Sequence, residues 1–165
     1  MVPWIFIYTS LFYLVKSITY SDLSSYFSEV KDLSIEKIGE KIGGKVKQNI
    51  DGGFFTNACA IRMSYAINYS GLEIKKKDDI AAVSGSDEKW YIYRVKDLKK
   101  FIESNFSEKE TVKKTKDLKD KKGIIIFEDC NWSDATGHAD LFDGNNVEGN
   151  DYSDNCKTKI LYKID

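Results

Sequence analysis

One histidine, one proline and three cysteines stand in a chain of 165 residues, and each scarcity closes off a class of function. With His138 alone and Cys59, Cys130 and Cys156 scattered, no set of ligands has the spacing of a zinc site. No glycine-rich turn runs into Lys followed by Ser or Thr, and no serine occupies a nucleophile elbow. Metal and nucleotide cofactors are therefore not expected. An excess of charge is missing too: 25 Lys and Arg face 26 Asp and Glu, a net charge of -1, which gives no field to attract a nucleic acid. The lysines at 75–77 and between Lys113 and Lys122 read as solvated faces, the second group being interrupted by acids. With no internal repeat and no proline-rich linker, the length fits one domain, since single domains run to roughly 100–200 residues.

What the chain does have begins with an apolar stretch from Trp4 to Val15, followed by Lys16, Ser17 and Thr19. Its length of about twelve residues suits a signal-peptide core and falls short of the roughly 20 that a spanning helix needs. Residues 1–19 are therefore expected to be a leader and 20–165 the folded domain, secreted from the cell. In an oxidising compartment three cysteines read as one bridge and one free thiol.

Apolar residues at Leu23, Tyr26, Phe27, Val30 and Leu33 have the spacing of an amphipathic helix, and Ser34 to Ile42 reads as a second, stopped by Gly43 and Gly44. A turn at Asp51 to Gly53 precedes a third helix, capped by Asn57 and running to about Tyr69. Trp90 to Tyr93 is strand-like, Val95 to Phe106 helical, and Gly123 to Phe127 is apolar on both faces like a central strand. His138 to Phe142 and the region of Ile160 to Tyr162 complete the sheet, with a polar loop from Asp143 to about Tyr152. Helices first and sheet afterwards is an α+β order.

The first turn of a helix favours negative charge, so a thiol there is disposed to become a thiolate nucleophile. Cys59 holds that place, although a free cysteine is also a common buried apolar residue. His138 is the one imidazole available as its base. A third group must orient the ring, and Asp140, Asp143, Asp151 and Asp154 are all near in sequence. Trp90, Tyr91, Tyr93 and Trp132 are more simply core than cleft, and Arg94 is a candidate for a substrate carboxylate or a surface ion pair.

The segment Ile42-Gly43-Gly44-Lys45-Val46, continued by Asn49 to Tyr65 with Asn57-Ala58-Cys59-Ala60-Ile61-Arg62-Met63-Ser64 at its centre, resembles the nucleophile region of the fourth family of type VI secretion amidase effectors. The likeness extends through Val83-Ser84-Gly85, Trp90 to Val95, Gly123 to Ile125, Trp132-Ser133, Gly137-His138 and Leu141 to Gly144, spanning about Ile35 to Cys156. It implies a circularly rearranged papain-like fold of the NlpC type, with the cysteine at a helix start against a small antiparallel sheet that carries the histidine. The activity implied is a cysteine amidase of bacterial peptidoglycan, cutting the γ-D-glutamyl–meso-diaminopimelate bond in an antibacterial role, with a cognate immunity protein as partner. Cys59 and His138 fall on the family's nucleophile and base, and Asp154 on its third residue, ahead of Asp143 and Asp140.

Three departures accompany the likeness. Tyr152 stands where the family places a cysteine two residues before the aspartate, so Cys156 is expected to pair with Cys130 instead. The loop from Asn145 to Ser153 is longer than usual, and the leader is foreign to effectors injected by a secretion machine. Membrane contact is expected during export alone. Two alternatives follow: a protein of the same fold that binds cell wall or inhibitor without turnover, and an acyl transferase to an amine.

Overall fold

The computed structural model describes residues 18–132 and 137–165; the apolar stretch assigned to the leader, and Ser133, lie outside the described residues. Four helices lead: α1 (Tyr20–Ser28), α2 (Ile35–Ile42), α3 (Gly44–Asp51) and α4 (Cys59–Tyr69). A small hairpin, β1 (Ala82–Ser84) and β2 (Trp90–Ile92), precedes α5 (Val95–Asn105). Then β3 (Lys109–Val112), a 3-10 turn (Thr115–Leu118), β4 (Gly123–Cys130), β5 (Gly137–Phe142) and β6 (Cys156–Lys163) build an antiparallel sheet in the order β3-β6-β4-β5. The class is α+β, as expected.

α4 is the pivot of the helical half. It packs against α1, β2, α5 and β5, and nine of its residues from Cys59 to Asn68 are buried. Two of those are polar and tie the helix to β2. The Ser64 hydroxyl accepts from the Ile92 N–H at 3.0 Å, and the Asn68 amide donates to the Trp90 carbonyl at 2.9 Å. Such bonds within a core fix the roll of a helix that apolar contacts alone leave adjustable.

β4 divides two apolar clusters. Ile124 and Ile126 face the helices, while Ile125 and Phe127 meet Leu118, Phe142, Cys156 and Leu161 on the other side. That is the two-faced burial expected of a central strand. β5 is an edge strand, so its outer flank is free to receive the start of α4 and the loop that follows Phe142. At the far corner the Tyr20 N–H donates to the Asp165 carbonyl at 2.9 Å, tying the start of α1 to the segment that follows β6.

The departures from the expected elements have local causes. α1 stops at Ser28 although the apolar spacing continues; Val30 is buried from a turn whose N–H bonds the Phe27 carbonyl. α3 follows α2 directly, because Gly43 and Gly44 end one helix and open the next. Both have positive φ, and a Cβ on Gly44 would lie 2.5 Å from the Gly85 carbonyl carbon. β3 escaped notice because it is a short edge strand, half of it charged, held to its surroundings by Lys121–Glu110 and Lys109–Glu103 pairs.

Candidate active site

Cys59 is the first residue of α4, is 6% exposed, and is the free cysteine; Cys130 and Cys156 form a disulfide that joins the end of β4 to the start of β6. The helix opens one residue later than expected, with Ala58 at the cap position, yet Asn57 still serves the first turn: its Oδ1 accepts the Cys59 N–H at 2.9 Å. Burial on all sides leaves the thiol one way out, toward a recess also lined by His138, Asp140, Arg62, Lys31 and Asn150.

His138 comes to that recess from β5, where it lies opposite Phe127 of β4. Its ring is walled by aromatic groups, with Tyr152 edge-on at 4.7 Å between centroids and Phe127 at 6.1 Å. Trp132 in turn packs edge-on against Tyr152 at 4.8 Å. Its Nε2 lies 3.1 Å from Asp140 Oδ2, and the ring shares the recess with the Cys59 thiol, which leaves Nδ1 as the nitrogen available to the sulfur. Burial by itself lowers the proton affinity of His138. The Asp140 carboxylate, hydrogen-bonded to the ring, and the Cys59 sulfur beside it outweigh that effect and push the imidazole up to about 9. A ring so placed holds its proton firmly beside the sulfur.

Asp140 is 2% exposed and is fixed by a cradle of backbone donors. Oδ1 accepts from the Leu141 N–H at 2.7 Å and the Gly149 N–H at 3.0 Å, and Oδ2 accepts from the Asn150 N–H at 3.0 Å. Gly149 is obligatory for this approach, since a Cβ there would stand 2.4 Å from Asp140 Oδ2. The cradle is itself anchored: the Glu148 carboxylate accepts from the Tyr20 hydroxyl at 2.5 Å, its carbonyl from Lys31 Nζ at 3.0 Å, and its N–H donates to the Leu141 carbonyl at 2.8 Å.

The structure therefore brings together Cys59, His138 and Asp140, and not Asp154. Asp154 is exposed in the turn that enters β6. Asp143 and Asp151 are occupied in local turns, accepting from Asn145 and Asn146 and from Ser153. In the loop before Asp154, the Gly149 and Asn150 N–H groups grip Asp140. The signal for Asp140 was present in strand alternation, because positions 138 and 140 of one strand share a face. No comparable signal announced Gly149, Asn150 or Lys31, which reach the site from loops.

Of the aromatic residues, Tyr91 is fully buried and Tyr93 stacks on Phe55 at 4.5 Å, away from the recess, in keeping with a core role. Arg94 is exposed and lies over the Tyr93 ring at 5.3 Å. The arginine at the recess is Arg62.

Comparison with known proteins gives a consistent result. The sequence profile of type VI secretion system (T6SS) amidase effector protein 4, Tae4, matches residues 55–163. The Tae4–Tai4 effector–immunity complex from Enterobacter cloacae is similar with a TM-score of 0.83 and 34% identity, covering 89% of this chain and 98% of that one. The Tae4/Tai4 effector–immunity system from Salmonella typhimurium gives 0.82 and 34%, with 89% and 98% covered. The Enterobacter cloacae effector Tae4 crystallised by itself gives 0.81 and 34%, with 89% and 96% covered. No curated protein matches the chain in sequence.

Proposed function

This chain belongs to the type VI secretion amidase effector 4 family, and from that premise we propose that it hydrolyses the γ-D-glutamyl–meso-diaminopimelate bond of peptidoglycan stems through a cysteine thioester. Amidase action on bacterial peptidoglycan, with an antibacterial role, comes with the family. The observation that carries the finer reading is the convergence of a buried thiol, an imidazole and a carboxylate in one recess, with Asp140 3.1 Å from His138 Nε2.

In the proposed reaction the Cys59 proton rests on His138 from the start, and the sulfur attacks the γ-glutamyl carbonyl carbon. The developing oxyanion takes the place of Asn57 Oδ1 as acceptor of the Cys59 N–H, a donor already aimed along the first turn of α4. Collapse of the tetrahedral species breaks the C–N bond, and the imidazolium gives its proton to the departing diaminopimelate amine. Water then loses a proton to His138 and attacks the thioester, which releases the γ-carboxylate and restores the starting state. Asp140 keeps the ring in the tautomer that presents Nδ1 to sulfur, the role that the family resemblance placed on Asp154.

A wall-binding protein without turnover is less favoured. Its ground was a misplaced third residue, and with Asp140 in contact with the ring that ground falls away. Action outside the cytosol, after removal of residues 1–19, accords with the Cys130–Cys156 disulfide. An immunity protein of the kind seen with the Enterobacter and Salmonella effectors is the proposed inhibitory partner. The test is incubation of the protein and its Cys59→Ala variant with diaminopimelate-type sacculi, with released fragments identified by mass. Fragments ending in D-glutamate from the first protein alone are expected; the same fragments from both would remove Cys59 from the mechanism.

A further inference from the structure

The recess beside Cys59 contains a cation that this chemistry does not use. Arg62 stands three residues along α4 from Cys59 and lines the recess together with Cys59, His138 and Lys31. One terminal nitrogen donates to the Leu33 carbonyl at 2.6 Å, which sets the plane of the guanidinium. Its Nε–H is buried and meets no acceptor among the described residues. Buried donors are nearly always satisfied, and an exception at a functional site points to a group that arrives from outside. The neighbouring carboxylate cannot supply the acceptor, because Asp140 is already committed to three backbone N–H groups and to His138. Lys31 adds a second positive charge at the same place, its Nζ held by the Glu148 carbonyl at 3.0 Å and lying 3.8 Å from the exposed carboxylate of Asp32.

We propose that Arg62, with Lys31 beside it, is a carboxylate-binding site that selects the substrate, and that its ligand is the free α-carboxylate of the D-glutamyl residue. The proposal rests on the amidase reading above. A γ-linked D-glutamyl unit leaves its α-carboxylate four carbon–carbon bonds from the scissile carbonyl. Cys59 and Arg62, three residues apart in α4, stand on one face of the helix and line the same recess. Arginine presents its N–H groups in a planar fork that fits a carboxylate, and the contact forms in a recess where water is largely excluded. A stem whose α-carboxylate is amidated loses the charge and turns an NH2 toward a donor. Such a site rejects the amide because its own polar group is then left unpaired.

The experiment compares two synthetic stem peptides, one with the α-carboxylate and one with the α-amide, as substrates of the intact protein. The acid should be preferred by about 10-fold to 100-fold in kcat/KM, chiefly through KM. Arg62→Gln should bring the ratio near unity, and Arg62→Lys should keep part of it. Arg62→Gln also removes the bond to Leu33, so the same ratio is read a second way, as calorimetric binding of the uncleaved stems to Cys59→Ala protein with and without Arg62→Lys. Equal cleavage of acid and amide by the unaltered protein, or a preference that survives Arg62→Gln, overturns the carboxylate site and leaves the amidase reading standing. If neither stem is cut, the amidase reading fails; binding to the Cys59→Ala protein then decides the carboxylate site by itself, with equal affinities overturning it.

Discussion

The two sides of the recess are held in place by different forces. Cys59 is placed chiefly by burial: α4 is surrounded by core, and its roll is fixed by two buried bonds, from Ser64 and Asn68 to β2. His138 and Asp140 are placed by polar bonds, from an edge strand and a loop whose backbone N–H groups converge on one carboxylate. Apolar packing is non-directional and tolerates exchange of shape for shape, whereas a hydrogen-bonded cradle is directional and fails when one member moves. The nucleophile should thus be robust to changes around it, and the base fragile.

That contrast can be broken most severely at its meeting point. Cys59→Ala should lower amide hydrolysis by about 10⁴-fold or more while leaving the fold intact, as read by stem release and by the circular dichroism of the variant. Next in size is Asp140→Asn, expected to cost about 100-fold to 1,000-fold in kcat. It should also shift the pH profile. With Asp140 present, His138 holds its proton up to about 9, so activity that needs the imidazolium falls as pH rises through that value. Without the carboxylate the alkaline limb should move down toward 6.5. The same raised value implies that the charged ring stabilises the fold fully below 6.5 and ceases to do so as pH passes about 9. Asp154→Asn, measured alongside, should leave both kcat and profile unchanged.

Gly149→Ala tests the cradle without touching a reacting group. Its Cβ would push on Asp140 Oδ2, and a loss of about 10-fold in kcat is expected, together with about 1–3 kcal/mol of stability in a denaturant titration. Reduction of Cys130–Cys156, which closes a span of 26 residues around the cradle loop, should cost about 2–4 kcal/mol and lower kcat by a few fold. The smallest effect on turnover belongs to the other region. Ile67→Ala, fully buried in α4, should remove about 2–5 kcal/mol of stability yet leave the rate per folded molecule within about twofold. A large rate loss there would mean that the nucleophile is as delicately placed as the base.

The same division explains what could be read from the sequence. Elements made by apolar pattern were legible: α2, α4, α5, β4, β5 and β6 all announce themselves by spacing, and Cys59 and His138 stand on two of them. α3 was hidden by Gly43 and Gly44, which look like a terminator and serve also as a starter. β3 was hidden because a short, half-charged edge strand has no apolar code. The cradle was least legible. Strand alternation puts Asp140 on the face of His138, but the cradle that holds its carboxylate comes from Gly149 and Asn150, nine and ten residues away, which no local pattern announces. Family likeness pointed to Asp154 by order along the chain, and order is what a longer loop disturbs first.

The bond between the Tyr20 N–H and the Asp165 carbonyl closes the stretch from α1 to β6, in effect, into a ring with a gap one hydrogen bond wide. Where such a ring is cut does not alter which elements neighbour which, so the geometry of thiol and imidazole is independent of the order in which helix and sheet are encoded. That closure offers a mechanical account of how the order of the elements could be rewired while the site stays whole.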